Sequence, residues 1–337
     1  MTTVAIGDLA QNLQMRRYNS DLKTRLSTLA QELTSGQSAD PAKLVSGDFA
    51  PLSAIEHSLN TLSSYQMAGS EAALMTAAMQ ASLTNVSDVA SSLESSLLIA
   101  ASSPETNLLT STGVDAHEKL DQAIGALNAS VAGRSLFSGM ATDRAPLISG
   151  DEMMAALQTS LAGQTTAQGV SDVMEAWFNA RGGGFETVGY VGSEEPIGDV
   201  RLGDGATLSL SITAEDQSIR DVIRGLAMGA LLADGGLFAG DTTERAKLAK
   251  ASAEQLLTAS GPMAALQGTL GTAQERIETI QVENTSKSAI LELAKSEIVG
   301  VDPYEVATEL ESVQAQIETL YTITARLSRL SLTDYLS

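Results

Sequence analysis

Near the C-terminus the apolar residues recur at steps of four and three: Val306, Leu310, Val313, Ile317 and Leu320, then Leu327 after Thr324, with Leu330 beyond. No Gly or Pro interrupts residues 306–336, so the spacing predicts a long helix carrying one narrow apolar seam. The other end of the chain shows the same pattern. Residues 4–34 read as a helix whose seam is Leu22, Leu26, Leu29 and Leu33, extended backwards by Tyr18 and Met15 and stopped by Ser35-Gly36 before the Asp40-Pro41 loop. Residues 51–102 read as a longer helix with Pro51 in its first turn and Met79, Leu83, Val86, Ala90, Leu93 and Leu97 on one stripe. At about 1.5 Å per residue that helix would exceed 70 Å, which suits a rod better than a globular core. A shorter helix is expected at 114–131.

The middle of the chain changes character. Residues 151–179 look helical, and glycines then crowd residues 181–213 while apolar residues alternate. The Val188–Gly192 run and the paired segments Asp199–Leu202 and Ala206–Thr213, these two separated by Gly-Asp-Gly at 203–205, predict β-structure in the form of a hairpin. Helix returns at Ile219 and, after a glycine-rich break at Asp234–Gly240, runs to about Val299. Its seam of Met263, Leu266, Leu270, Ala273, Ile277 and Ile280 passes through the polar positions Asn284 and Lys287 before Leu291, Ala294 and Ile298. Polar seam residues cost stability and fix register. Asp302 is a candidate cap and Pro303 a candidate first residue for the final helix.

The expected fold is therefore mainly α: a long-helix rod or coiled-coil bundle built from both termini, with a small inserted α+β domain. The corresponding division is an N-terminal assembly helix at 1–45, rod segments at 46–144 and 216–300, the insert at 145–215 and a C-terminal assembly helix at 301–337. Seams at both ends suggest that the termini cover each other, since either alone would expose an apolar stripe. Such seams can serve as an intramolecular core, or partly as core and partly as subunit contact. The helix lengths favour the second role.

Composition narrows the functions. Hydrophobic residues make up 43% of the 337 positions but aromatics only 4%, which fits packed helices rather than an aromatic core. The net charge of −21 repels phosphate backbones and anionic lipid, which argues against nucleic-acid and membrane partners. With no cysteine, disulfides and thiolate chemistry are excluded. The N-terminus lacks the basic start and apolar core of a cleaved secretory signal.

Candidate chemistry is sparse. The two histidines, His57 and His117, have no ligand partner expected four residues on and read as surface residues, so no metal site is expected. The Gly182–Gly184 run lacks the lysine and strand-to-helix switch of a phosphate loop. The acid pairs Asp151-Glu152 and Glu194-Glu195 read as solvated, and Asp115–Gln122 lacks the order of a calcium loop. No catalytic residue and no cofactor is expected.

The closing region, LQGTLGTAQERIETIQVENTSKSAILELAKSEIVGVDPYEVATELESVQAQIETLYTITARLSRLSLTDYL, resembles the C-terminal helices of the flagellin superfamily. The match runs in order through Leu270–Ile277, the Asp302 turn, Gln314/Gln316 and the Ser-Leu-x-x-Tyr-Leu ending, and Leu33–Gly36 resembles the end of the family's first helix. The segment Gly133, Arg134, Ser135, Leu136, Phe137, Ser138, Gly139 is similar to one typical of the hook-filament junction members, the hook-associated protein 3 type. Departures are Thr3–Ile6 in place of Arg-Ile-Ser-Thr, and Ser38–Pro41 in place of an Asp-Asp pair.

The resemblance implies an extracellular structural protein of the flagellum. It would be exported without signal cleavage through the type III channel and assemble by coiled-coil packing of terminal helices. Implied partners are further copies in a ring-like homo-oligomer, a hook-associated protein on the hook side, flagellin on the filament side, and an export chaperone. Leu22, Leu26, Leu29, Leu33, Val306, Leu310, Val313, Ile317, Leu320, Leu327 and Leu330 are the expected interface residues. Phe137 is expected to pack near the insert and Arg134 to pair with an acid there. Two other readings stand beside this one: a filament subunit, against which the 133–139 segment argues, and an enzyme carried in the insert.

Overall fold

In the computed structural model, backbone is described for residues 3–336, and side chains for residue 10 and residues 13–326. Nine α-helices appear among the described residues: α1 (Thr3–Ser35), α2 (Pro41–Leu44), α3 (Ala50–Ser102), α4 (Thr106–Leu127), α5 (Gly150–Ser160), α6 (Ala167–Asn179), α7 (Gln217–Ala230), α8 (Thr242–Val299) and α9 (Pro303–Leu336). Two small antiparallel hairpins accompany them: β1 (Ser130–Val131) with β2 (Arg134–Ser135), and β3 (Ile197–Gly203) with β4 (Ala206–Leu210). The architecture is mainly α with a small β-containing insert, as the pattern predicts. No helix among the described residues is long and apolar enough to cross a membrane.

The chain divides into two units, Met1–Ser63 with Thr285–Ser337 and Ser64–Asn284, and α3 and α8 contribute residues to both. The second unit holds the large core. The stripe Met79, Leu83, Val86, Leu93 and Leu97 of α3 is buried there, together with Leu109, Leu120 and Leu127 of α4, Ile219 and all of 222–230 in α7, and Leu248, Leu256, Met263, Leu270 and Ile277 of α8. Backbone approaches backbone where α4 meets residues 231–233. A methyl group added at Gly113 would lie 2.1 Å from the Ala233 nitrogen, so only glycine fits.

Two arginines are enclosed in this unit. The guanidinium of Arg245 is fully buried and donates from Nη2 to the Leu232 carbonyl at 2.7 Å and to Thr110 Oγ1 at 3.0 Å, tying the start of α8 to the preceding loop and to α4. Arg224 of α7 pairs with Glu175 and Asp221 and donates to Gln255. Burial holds both below the ordinary arginine pKa.

Several sequence expectations need correction. The helix expected at 114–131 begins at Thr106, directly after the Pro104 break, and ends at Leu127, where Asn128 turns the chain into the β1–β2 hairpin. The polar run Thr110–Gly113 hid its first turns, although Leu109, Thr112 and Gly113 are buried. The helix expected at 151–179 is two helices, separated at Gly163 by a left-handed φ of +86°. The Val188–Gly192 stretch is not a strand: Phe185–Gly189 forms a single π turn, and Tyr190 then bridges to Leu147. Glycine at 184 permits that turn to sit against the Trp177 indole, where an added Cβ would fall 1.9 Å from Nε1. The expected hairpin is present, turning at Asp204-Gly205 with Gly205 at φ +71°. Asn284, read as a polar seam residue, is buried and donates to the Leu202 carbonyl at 2.7 Å, securing β3 to α8.

Candidate functional site

The terminal seams meet each other. In the first unit Leu22 and Leu29 of α1 and Val306, Val313 and Leu320 of α9 form one buried cluster, flanked by the partly buried Met15, Leu26, Val301, Leu310 and Ile317. The helices run antiparallel. Arg25 pairs with Glu309, Tyr18 Oη donates to Gln316 Oε1 at 3.4 Å, and Thr324 lies beside Met15 Sδ at 3.8 Å, so each step back along α1 is matched by a step forward along α9. Hydrogen bonding by Lys23 and Asn19 of α1 holds the Tyr321 hydroxyl below the ordinary tyrosine pKa.

The register is set by a backbone stitch. Gly36, at φ +68°, ends α1, and its nitrogen donates to the Glu32 carbonyl. Ser38 N donates to Val299 O at 2.9 Å and Val301 N to Gly36 O at 3.1 Å, so the turn after α1 is bonded to the turn before α9. Asp302 caps α9 by accepting from the Tyr304 nitrogen at 2.8 Å, with Pro303 as the first helical residue, as expected. Lys295 of α8 pairs with Glu56 of α3 at 2.8 Å in the same unit.

Of the expected interface residues, this pairing buries Leu22, Leu29, Val306, Val313 and Leu320 and half-buries Leu26, Leu310 and Ile317. Leu33 is 40% exposed, because the residue opposite it in this register falls in the turn before α9. The side chains of Leu327 and Leu330 lie outside the described residues. Other apolar side chains of the unit remain exposed: Tyr321 and Ile323 on α9, Ile290 and Leu293 on α8, and Tyr304 at 83%. These were absent from the sequence expectation, because a seam rule selects only positions in phase with the stripe.

The 133–139 segment belongs to the second unit and is a structural stitch. Ala132 and Gly133, both at positive φ, make the two-residue turn of the β1–β2 hairpin. Arg134 pairs with Glu71 of α3. Leu136, Phe137 and Ser138 are buried; the Phe137 carbonyl accepts from Ala214 N at 2.9 Å and the Ser138 carbonyl from Ser193 N at 2.9 Å. Gly139 has φ +60°, and a Cβ there would lie 2.4 Å from the Glu195 carbonyl oxygen, the acceptor for Met140 N. The segment and the adjoining Met140 thus bond to the insert at Ser193, Glu195 and Ala214, while the start of the insert is held separately by Asn128, whose side chain bonds both the nitrogen and the carbonyl of Leu147.

The histidine reading needs amendment. His117 does have a neighbour four residues on, Asp121, whose Oδ2 lies 3.8 Å from Nε2, and Asp151 Oδ1 of α5 lies at 3.1 Å. The i, i+4 spacing was visible in the sequence; the arrival of Asp151 from another helix was not. The Asp151-Glu152 pair also divides its roles, since Glu152 completes a capping box with Ser149 that holds its carboxyl below the usual range.

The fold and the paired termini define a class, that of mainly α proteins whose long terminal helices pair with each other and whose intervening sequence forms a second compact unit. The family model described as the bacterial flagellin C-terminal helical region matches residues 254–336, which span most of α8 and all of α9. The structure resembles that of a Vibrio parahaemolyticus protein assigned as a flagellar hook-associated protein (15% identity, TM-score 0.54, covering 75% of this chain and 99% of that one). It also resembles FlgL of Bacillus cereus (16% identity, TM-score 0.51, covering 72% of this chain and all of that one). Comparison with curated protein sequences gives no match. The C-terminal region is therefore of the flagellin type, and the chain shares its fold with these flagellar proteins.

Proposed function

We propose that this protein is a structural component of the bacterial flagellum that joins the hook to the filament. The observation that carries the reading is the coincidence of two features. The flagellin-type region ends in the helix that pairs with α1, and about three quarters of the chain, 75% and 72% in the two matches, is similar in fold to a flagellar hook-associated protein and to FlgL. In this reading the seam from Leu22 to Leu33 and from Val306 to Leu330 holds the terminal helices together. Neighbouring copies and the adjoining hook-associated and flagellin subunits then cover the apolar side chains still exposed around it, such as Leu33, Tyr321 and Ile323.

The physical logic is coupled ordering. A lone helix with one apolar stripe does not offset its conformational entropy, and a two-helix seam leaves much apolar surface wet. Burial by neighbours supplies the remainder, so the terminal helices order on assembly. The unpaired monomer is kept soluble by its −21 charge and by an export chaperone over α9, and it leaves the cell without signal cleavage. No catalysis is part of this role. Electron microscopy of cells lacking the gene tests it: bare hooks with flagellin released to the medium are expected, and normal filaments would overturn the proposal.

A further inference from the structure

We infer that His117, Asp121 and Asp151 form a binding site for a divalent transition-metal ion that links α4 to α5. A first-row divalent ion such as zinc takes imidazole nitrogen and carboxylate oxygen at about 2.0–2.2 Å, which spaces neighbouring ligand atoms about 3.3 Å apart in a tetrahedron. His117 Nε2 lies 3.1 Å from Asp151 Oδ1 and 3.8 Å from Asp121 Oδ2, and one donor atom from each of the three residues falls within 4.8 Å of the others. Small side-chain rotations bring the set to ligating distance. Three protein donors leave one or more positions for water, which the exposed side of the cluster at Asp151 can supply.

Three further features favour an ion over a simple ion pair. Neither Asp121 nor Asp151 has a lysine or arginine partner among the described residues, so two carboxylates converge on a single imidazole. Two donors come from one helix at i and i+4, hence on one face, and the third from the first turn of α5, which the Ser149–Glu152 capping box fixes. Gly150 admits the Asp121 carboxylate: a Cβ there would stand 1.9 Å from Asp121 Oδ1, so any other residue would push that ligand away. Although the sequence has 41 acidic residues, no other group of three such side chains converges in this way among the described residues. The imidazole makes the site selective for zinc, cobalt or nickel over the oxygen-seeking magnesium and calcium.

The test uses the full-length, untagged chain, stripped with chelator and titrated calorimetrically with zinc chloride in excess magnesium, which occupies weak carboxylate sites. One zinc ion per chain is expected, with a rise in melting temperature and, on cobalt substitution, the visible bands of a low-coordinate centre. His117→Ala and Asp151→Asn each weaken binding by at least about tenfold, the loss seen even for outer-shell partners, and cancel the thermal shift. His57→Ala leaves both unchanged. Asp151 is 86% exposed at its side chain, so its asparagine variant retains the fold and keeps the test valid if His117→Ala does not. Absence of stoichiometric zinc binding, or binding that survives Asp151→Asn, would reduce the cluster to an ion pair between two helices and overturn the inference.

Discussion

The two units of this chain bury apolar surface in opposite ways. The second unit encloses a contiguous core fed by α3, α4, α5, α6, α7, α8 and the β3–β4 hairpin, and even closes over two arginines. The first buries one narrow stripe between α1 and α9 and leaves Leu33, Ile290, Leu293, Tyr304, Tyr321 and Ile323 in water. A core approached from many sides stabilises itself. A seam approached from one side depends on whatever else covers its helices. Under the proposed function the two units do different work: the second is a self-sufficient body, and the first is the part whose order a neighbour would control.

The largest effect expected from this contrast is on deletion of residues 303–337. The second unit should keep its cooperative thermal transition, while α1 loses its partner and its helical signal in circular dichroism. The truncated protein should also fail to incorporate into flagella, measured by motility and filament counts. Restored filament growth with this variant would show that α9 is dispensable for assembly and erase the functional half of the comparison.

Core truncations sharpen it quantitatively. Phe137→Ala removes a fully buried ring from the second unit and should destabilise it by about 3–5 kcal/mol. Leu22→Ala in the seam should cost on the order of 1–2 kcal/mol, below the usual range for a buried leucine, because the gap opens to solvent and the helices can settle together. Urea unfolding read separately by helix content and by the Trp177 signal distinguishes the two. Equal losses would mean that the units are not energetically distinct.

Much of this division was legible in the sequence. Steps of three and four identify a buried stripe whatever buries it, so the seams of α1, α3, α8 and α9 followed from spacing alone. Asp302-Pro303 and Gly203–Gly205 announced their turns because few residues can supply those backbone angles. What stayed hidden depends on residues distant in sequence. Nothing local marks Arg245 as a buried donor to Leu232 and Thr110, nor brings Asp151 to His117. Leu33 continues the α1 seam in phase, yet it is exposed because the chain on the other side has already turned. The segment at 133–139 was recognised as a pattern, but its reason, a stitch from Phe137 to Ala214 and from Ser138 to Ser193, needed the fold.

That stitch supplies the next prediction. Gly139→Ala forces a side chain into a left-handed backbone position and against the Glu195 carbonyl, so backbone must move on one side or the other. A loss of about 2 kcal/mol is expected in the stability of the second unit, with the α1–α9 pair unchanged by circular dichroism. Gly133→Asn should cost much less, since its φ of +78° meets open space and asparagine tolerates that region. If the two substitutions prove equally mild, the segment does not secure the insert.

The smallest expected effect concerns charge at the edge of the insert. Desolvation raises the Glu215 pKa, Arg220 opposes the shift, and the carboxylates of Glu194 and Glu186 reinforce it. A carboxyl whose folded pKa lies above its unfolded value binds its proton more tightly in the folded state. Its contribution to stability is therefore fully present below the unfolded pKa, about 4.3 for glutamate, and is lost as pH rises through the folded value. At pH 7 the ionised group opposes folding. Glu215→Gln should then raise the melting temperature of the second unit slightly at pH 7, and the difference should shrink to nothing below about pH 4, where both side chains are neutral. Salt should reduce only the part of the gain that comes from Glu194 and Glu186, because added ions screen like-charge repulsion but leave the burial of Glu215 unchanged. A variant that is less stable at neutral pH would mean that the Arg220 interaction outweighs burial and repulsion, and that this edge, like the seam of the first unit, is held by what faces it rather than by what it encloses.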